Sequence, residues 1–158
     1  MLTPLQLISY IGSIANGGTI WRPYVNANST PQINEDLTYL LPQIQDVQAG
    51  MRAGVTSPRG TSHTLADLPF PVCAKTGSAQ VHDNSQENAL FVGYAPCGGD
   101  PVPTATQAAA TGTVASATNV PQIALLILIE NSRQGSLNAV PIAKDVLNWY
   151  YENRLVGK

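Results

Sequence analysis

The stretch VCAKTGSAQV, residues 72–81, decides the fold that we predict for this chain. Apolar and small polar side chains are mixed along it without a proline, which is typical of a β-strand. Its single glycine, Gly77, would allow another backbone to approach the strand closely. Two further strands are predicted after it, from Ala89 to Tyr94 and from Gln122 to Glu130. The last strand is almost entirely aliphatic, so we expect both of its faces to be covered.

A helix is predicted at the start of the chain, before this group of strands. Thr3 suits the N-cap and Pro4 the first helical position, whereas Asn16-Gly17-Gly18 is a typical helix end. Aliphatic side chains recur between them at the spacing of one helical face: Leu5, Ile8, Ile11 and Ala15.

The remaining elements are predicted from the same kinds of pattern. We expect a short strand from Thr19 to Val25, a polar connection from Ser29 to Pro42, and a second helix from Gln43 to Val55. A closing amphipathic helix is predicted to start near Pro141. Residues 98–119 are rich in alanine, threonine, glycine and proline, which predicts a flexible insertion loop within a single domain.

Composition excludes several classes of protein. The chain has 158 residues, of which 44% are hydrophobic and 11% charged, so it can bury a sizeable core and is not a disordered segment. A formal net charge of −2 gives no electrostatic reason to expect nucleic acid as a partner. The longest strongly apolar run, Ile123 to Ile129, is far shorter than the roughly 20 residues that a membrane-spanning helix needs.

Lys75-Thr76-Gly77 is the part of the opening stretch that carries chemistry. On a strand, this tripeptide is one element of a serine acyl-transfer site whose nucleophile lies in a Ser-x-x-Lys motif, with a third element of the type Ser-Asp-Asn. No serine in the chain is followed three positions later by lysine. The one Ser-x-Asn, Ser136-Leu137-Asn138, comes after the tripeptide, and we predict it to be a loop ahead of the last helix.

Further blocks along the chain resemble the transpeptidase domain of class B penicillin-binding proteins, the peptidoglycan D,D-transpeptidases. The blocks occur in the order found in that family and span nearly the whole sequence. They are Thr3-Pro4-Leu5-Gln6-Leu7, Tyr10, Ile14-Ala15-Asn16-Gly17-Gly18, Arg22-Pro23, Gly60-Thr61, Ala74-Lys75-Thr76-Gly77-Ser78-Ala79-Gln80, Phe91-Val92-Gly93-Tyr94-Ala95-Pro96 and Pro141-Ile142.

The resemblance implies an α/β fold of the α+β type, in which helices flank an antiparallel sheet as in penicillin-binding proteins and serine β-lactamases. It implies that Lys75 places a positive charge beside the site and assists proton transfer. The hydroxyls of Thr76 and Ser78 would bind the carboxylate of a D-Ala-D-Ala stem peptide or of a β-lactam. Gly77 would lie between them in the substrate-binding strand, and the backbone N–H of Ser78 would be one oxyanion-hole donor.

The chain also departs from the family pattern. Ala74 and Ser78 stand where the family usually has glycine and threonine, and the loop at residues 98–119 is long. The upstream half of the domain, with the nucleophilic serine and the Ser-x-Asn element, is missing. We therefore expect residues 1–158 to be the C-terminal portion of one transpeptidase domain, incomplete and inactive alone. The edge of the strand Ile123 to Ile129, unpaired without that half, predicts poor solubility or self-association.

Two cysteines allow a test of strand register. If Gly77 pairs with Gly93 in a hairpin, Cys73 lies opposite Cys97, and a cross-strand disulfide is feasible. The family works outside the cytoplasmic membrane, where thiols can be oxidised. The alternative is two unrelated buried cysteines, because a register slip of one residue would separate them.

The resemblance further implies the cellular setting. Partners would be the peptidoglycan stem peptide, β-lactams, the upstream half of the domain and other cell-wall synthesis proteins, without nucleic acid. The location would be the outer face of the cytoplasmic membrane, through an anchor that this chain does not encode. No cofactor or metal is expected, since His63 and His82 form no ligand spacing with the cysteines.

Two other functions remain open at the level of sequence. One is a non-catalytic, truncated paralogue that binds peptides along the strand edge without performing chemistry. The other is part of a serine β-lactamase or β-lactam sensor, which shares the Lys-Thr-Gly motif.

Overall fold

The computed structural model describes residues 2–81, 86–98, 120–132 and 134–155. Its helices are α1 (Pro4–Asn16), α2 (Leu41–Thr56) and α3 (Gly135–Tyr150). Its strands are β1 (Thr19–Trp21), β2 (Ile33–Asp36), β3 (Cys73–Val81), β4 (Gln86–Ala95) and β5 (Ile123–Ile129). Short 3₁₀ turns cover Thr38–Leu40 and His63–Asp67, and a π-helical turn, Tyr151–Leu155, follows α3.

The first helix ends and begins where the sequence predicts. The Thr3 hydroxyl accepts a hydrogen bond from the Gln6 backbone N–H at 3.2 Å, and the Gln6 side chain accepts one from the Thr3 N–H at 2.9 Å. This reciprocal pair is a capping box, and Pro4 occupies the first turn. Gly17 ends the helix in the left-handed conformation at φ 87°, which a residue without Cβ adopts readily.

The main sheet is antiparallel in the order β3-β4-β5, and a separate pair is formed by β1 and β2. Strand β3, which carries the Lys-Thr-Gly motif, is therefore an edge strand of the main sheet. The predicted α/β fold with an antiparallel sheet and flanking helices is confirmed.

The register between β3 and β4 differs from the predicted one. Gly77 pairs with Leu90, and Cys73 pairs with Tyr94. The pairing of Gly77 with Gly93 is wrong by three positions, because β4 begins at Gln86 and leaves only residues 82–85 to connect the strands.

Cys73 and Cys97 are nevertheless joined in the structure, with their Cα atoms 5.3 Å apart. Cys97 lies beyond the end of β4, where its backbone N–H donates to the Pro71 carbonyl at 2.9 Å. The chain after β4 thus continues alongside the start of β3. The contact between the cysteines arises from this continuation and not from the predicted register.

Two hydrophobic clusters cover the two faces of the main sheet. One lies between the sheet and α3 and includes Ala74, Phe91 and Leu147. The other lies between the sheet and α1 with α2, and includes Cys73 and Val92. Because side chains alternate along a strand, the even-numbered residues of the motif face α3 and the odd-numbered ones face the opposite side.

Coverage of β5 is less complete than predicted. None of its residues is buried, and Leu128 is 41% exposed. Its side chains pack against both clusters, but among the described residues the strand pairs with β4 alone. The expectation of two covered faces holds in part, because side chains on both faces contact a cluster but stay only half-buried, and Leu128 is exposed.

Other boundaries also differ from the sequence interpretation. The predicted polar connection from Ser29 to Pro42 contains β2, and the strand expected from Thr19 to Val25 ends at Trp21. Helix α3 starts six residues before Pro141. Ser136-Leu137-Asn138 therefore lies in the first turn of that helix, and its interpretation as a loop is wrong.

The predicted loop at residues 98–119 and the absence of a membrane-spanning helix can be compared with the structure only within the described residues. Of the flexible loop predicted at residues 98–119, all but Gly98 lies outside the described residues. Within the described part of the chain, none of the helices combines the length and the apolar character needed to cross a bilayer.

Candidate active site

The Lys75-Thr76-Gly77-Ser78 motif lies in the middle of the edge strand β3. Its four residues pair with Val92, Phe91, Leu90 and Ala89 of β4. In the part of the chain that the structure describes, no strand pairs with the other side of β3. One edge of the motif strand is therefore paired with β4, and its other edge is open to an added strand.

Lys75 is exposed, and by strand alternation its side chain lies on the sheet face opposite α3. Its Nζ atom donates a hydrogen bond to the backbone carbonyl of Thr76. No carboxylate of residues 2–81, 86–98, 120–132 or 134–155 forms a salt bridge with it. The ammonium group is therefore available to attract an anionic group approaching the strand edge.

Thr76 lies in a different environment, with only 8% of its surface exposed. Its hydroxyl donates a hydrogen bond to the hydroxyl of Thr61 at 2.7 Å. Thr61 belongs to the Gly60-Thr61 block that follows α2. The hydroxyl of Thr76 is thus engaged in a hydrogen bond within the chain.

Gly77 and Ser78 continue the strand toward its outer end. Gly77 is half-buried, and Ser78 is exposed. Lys75 and Ser78 are therefore the exposed side chains of the motif, and by strand alternation they lie on opposite faces of the edge strand, whereas Thr76 is held by the loop after α2. Of the two hydroxyls, that of Ser78 is the more accessible to a substrate carboxylate.

The contact between Thr61 and Thr76 of the motif is not predicted from the sequence. The Gly60-Thr61 block was recognised as part of the family pattern, but no role was assigned to the Thr61 side chain. The signal was present in the sequence, because Thr61 is the only hydroxyl in that block.

Cys73 lies two residues before Lys75 and is completely buried. Its sulfur atom is 3.4 Å from the Gln48 carbonyl of α2, and it is joined to Cys97. Both contacts fix the start of β3. The part of the strand that carries the motif therefore extends from an anchored base.

Titratable groups near the sheet show one large perturbation. Burial raises the pKa of Tyr94, the partner of Cys73 in β4, to about 12. This tyrosine stays neutral over the physiological range and serves as a core residue. Among the described residues, no cluster of three or more histidine, cysteine, aspartate or glutamate side chains is suited to hold a metal ion.

Comparison with known proteins gives a family and several relatives. A family model that describes the penicillin binding protein transpeptidase domain matches residues 1–148. The peptidoglycan D,D-transpeptidase MrdA of Haemophilus influenzae is 27% identical to this chain, and the match covers 87% of this chain and 20% of that protein.

Solved structures show the same fold. Pseudomonas aeruginosa PBP2, solved in complex with WCK 5153, is 26% identical with a TM-score of 0.65, covering 98% of this chain and 32% of that one. Helicobacter pylori PBP2, solved in complex with MreC, is 23% identical with a TM-score of 0.69, covering 96% of this chain and 25% of that one. The chain thus spans between 20% and 32% of the length of these three relatives.

The family match covers nearly all of the chain and includes the edge strand with its Lys-Thr-Gly motif. The similarity to MrdA and to the PBP2 structures agrees with it. The recognition of a class B penicillin-binding protein transpeptidase domain from the sequence blocks is confirmed. This chain belongs to the penicillin-binding protein transpeptidase domain family.

Proposed function

We propose that this chain is the substrate-binding part of a serine D,D-transpeptidase that cross-links the stem peptides of peptidoglycan. The observation that supports this most directly is the position of the motif, with Lys75 and Ser78 exposed on an edge strand. An extended peptide can add to such an edge through main-chain hydrogen bonds. The D-Ala-D-Ala end of a stem peptide, or a β-lactam, would bind there.

Each residue of the motif has a separate proposed role. Lys75 supplies the charge that attracts the substrate carboxylate and assists proton transfer. Ser78 contributes its exposed hydroxyl to the carboxylate and its backbone N–H to the oxyanion hole. The Thr76 hydroxyl is hydrogen-bonded to Thr61 and would have to leave that bond to contact the carboxylate, so its role is secondary. Gly77 keeps the strand free of a side chain between the two.

The nucleophile has to come from outside this sequence, because the sequence contains no Ser-x-x-Lys. We propose that an upstream half of the domain supplies the serine, its lysine partner and the second oxyanion donor. Removal of one such donor typically costs about 10²–10³ in rate, and without the serine no acyl-enzyme forms. The chain alone is therefore proposed to be inactive.

The proposed setting is the outer face of the cytoplasmic membrane, where peptidoglycan is cross-linked. The Helicobacter pylori relative was solved in complex with MreC, and another structural relative belongs to a peptidoglycan synthase complex. These neighbours support a proposal that the parent of this chain works together with other cell-wall synthesis proteins. The anchor that holds it there would lie outside this sequence.

The test compares this chain with its longer parent after exposure to a fluorescent penicillin, using intact-protein mass spectrometry. A covalent adduct is expected on the parent and not on the chain alone. Lys75→Ala in the parent should slow acylation by about 10²-fold or more. Lys144→Ala is the matched control, because Lys144 lies on α3 and not on β3. Its Nζ atom forms an exposed salt bridge with Asp67 at 3.0 Å.

The remaining outcomes identify the rivals. A parent that never forms an adduct would favour the non-catalytic, peptide-binding paralogue. A parent that hydrolyses penicillin rapidly and repeatedly would favour a β-lactamase. An adduct on this chain alone would show that the nucleophile lies within it.

A further inference from the structure

Helix α3 begins against the backbone of the substrate-binding strand. A Cβ atom placed on Gly135, its first residue, would lie 2.6 Å from the carbonyl oxygen of Gly77 and 2.5 Å from that of Leu90. Side-chain carbons do not approach backbone oxygens so closely, so any other residue at this position would displace the helix or the strands. Gly77 is the glycine of the Lys-Thr-Gly motif.

The approach comes from the rear of the sheet, on the side away from Lys75. Helix α3 packs with Ala74 and Phe91, which face that side. Ala89, the partner of Ser78, is also completely buried. The start of α3 thus supports the outer half of the hairpin, where Gly77 and Ser78 lie, from behind.

The turn before α3 is tied to the same part of the hairpin. The Ser132 N–H donates to the Glu87 carbonyl at 2.7 Å, and the Asn131 N–H donates to the Asn88 side chain at 3.0 Å. Glu87 and Asn88 pair with β3 just beyond Ser78. Residues 131–135 therefore contact both β4 and the outer half of β3, and Gly135 makes the closest approach to the two strands.

From these contacts we infer that Gly135 is a positioning residue for the substrate-binding strand. Because glycine has no Cβ, α3 can lie close behind Gly77 and Ser78, and this separation sets the position of both residues relative to a bound substrate. A methyl group at position 135 would push the outer half of β3 forward or tilt α3 away from it. The inference rests on the proposed function for its effect on acylation, and on the structure for its effect on the strand.

The first experiment measures acylation of the longer parent by a penicillin in rapid-mixing kinetics, which separates the dissociation constant from the acylation rate constant. Gly135→Ala should lower the rate constant by about 10–100-fold, because a displacement of about 1 Å can cost that much, and should change the dissociation constant much less. Gly50→Ala is the matched control, since among the described residues no atom outside the adjoining part of α2 lies within 4 Å of a Cβ added to this helical glycine. Equal acylation by both variants would overturn the inference.

The second experiment does not depend on activity. Amide hydrogen exchange of this chain should show that Gly135→Ala accelerates exchange at Gly77 and its neighbours in the outer half of the β3–β4 ladder, leaving Cys73 and Tyr94 protected. A uniform loss of protection, including complete unfolding, would show that Gly135 serves general packing and would overturn the positioning role. If the wild-type parent is not acylated, the proposed function fails, and the exchange pattern alone decides this inference.

Discussion

Thr76 and Thr61 are joined by a hydrogen bond of 2.7 Å between their hydroxyl oxygens. The bond connects the middle of β3, which carries the Lys-Thr-Gly motif, to the loop that follows α2. It brings the Gly60-Thr61 block against the Lys-Thr-Gly strand, although 15 positions separate the two threonines. The loop holds the strand in place through this side-chain contact.

Replacement of Thr76 by valine should destabilise the chain by about 0.5–1.5 kcal/mol, because it removes this hydrogen bond while keeping the shape of the side chain. Urea unfolding measures the change. Thr64→Val is the control, since the exposed Thr64 hydroxyl forms no hydrogen bond with any of the described residues. If both variants lose the same stability, the Thr76 hydroxyl contributes nothing specific.

The link between Cys73 and Cys97 should survive purification under oxidising conditions. Intact-mass measurement should show a gain of two hydrogen atoms on reduction, and alkylation before reduction should modify neither sulfur. The bond closes a loop with a sequence separation of 24, so its removal by Cys73→Ala with Cys97→Ala should cost about 2–4 kcal/mol. Two thiols that react freely in the unreduced protein would contradict the disulfide.

Tyr94 should titrate apart from most of the six tyrosines of the chain. Burial raises its pKa to about 12, so folding favours the neutral phenol. The stability from this effect is complete below the unfolded pKa of about 10 and is lost as pH rises through the folded pKa. When phenolate absorbance is followed as the pH is raised, the step at the highest pH should disappear in Tyr94→Phe. It should remain in Tyr24→Phe, the control, because Tyr24 is 49% exposed.

The open edge of β5 should cause self-association of this chain. Light scattering coupled to size-exclusion chromatography is expected to show oligomers that Leu128→Lys reduces, because lysine on an edge strand disfavours edge-to-edge pairing. Leu137→Lys is the control, as Leu137 is 68% exposed and belongs to helix α3 and not to a strand. A monodisperse wild-type monomer would refute this expectation.

Features with local causes could be predicted from the sequence. The cap at Thr3, the proline at the first turn and the glycine at the end of α1 each act within a few residues, and α1 was predicted correctly. The three strands of the main sheet also agree with the structure.

Features that depend on distant contacts could not be predicted in this way. The register of β3 on β4 depends on where β4 starts, and β4 begins three residues before Ala89. The start of α3 is glycine followed by serine, which is weak as a helix signal, and its close approach to Gly77 is a contact between residues far apart in the sequence. Strand β2 is exposed throughout and has no apolar alternation to identify it.

The segment between Cys97 and Gln122 leaves and rejoins the sheet at two fixed points. Cys97 forms a disulfide with Cys73, and its backbone N–H donates a hydrogen bond to the Pro71 carbonyl. The Gln122 N–H donates to the Ala95 carbonyl at 2.8 Å. Both attachments lie at the base of the hairpin, at the far end from Ser78. A change in the chain between these two attachments is therefore expected to leave the Lys75 to Ser78 part of β3 in place.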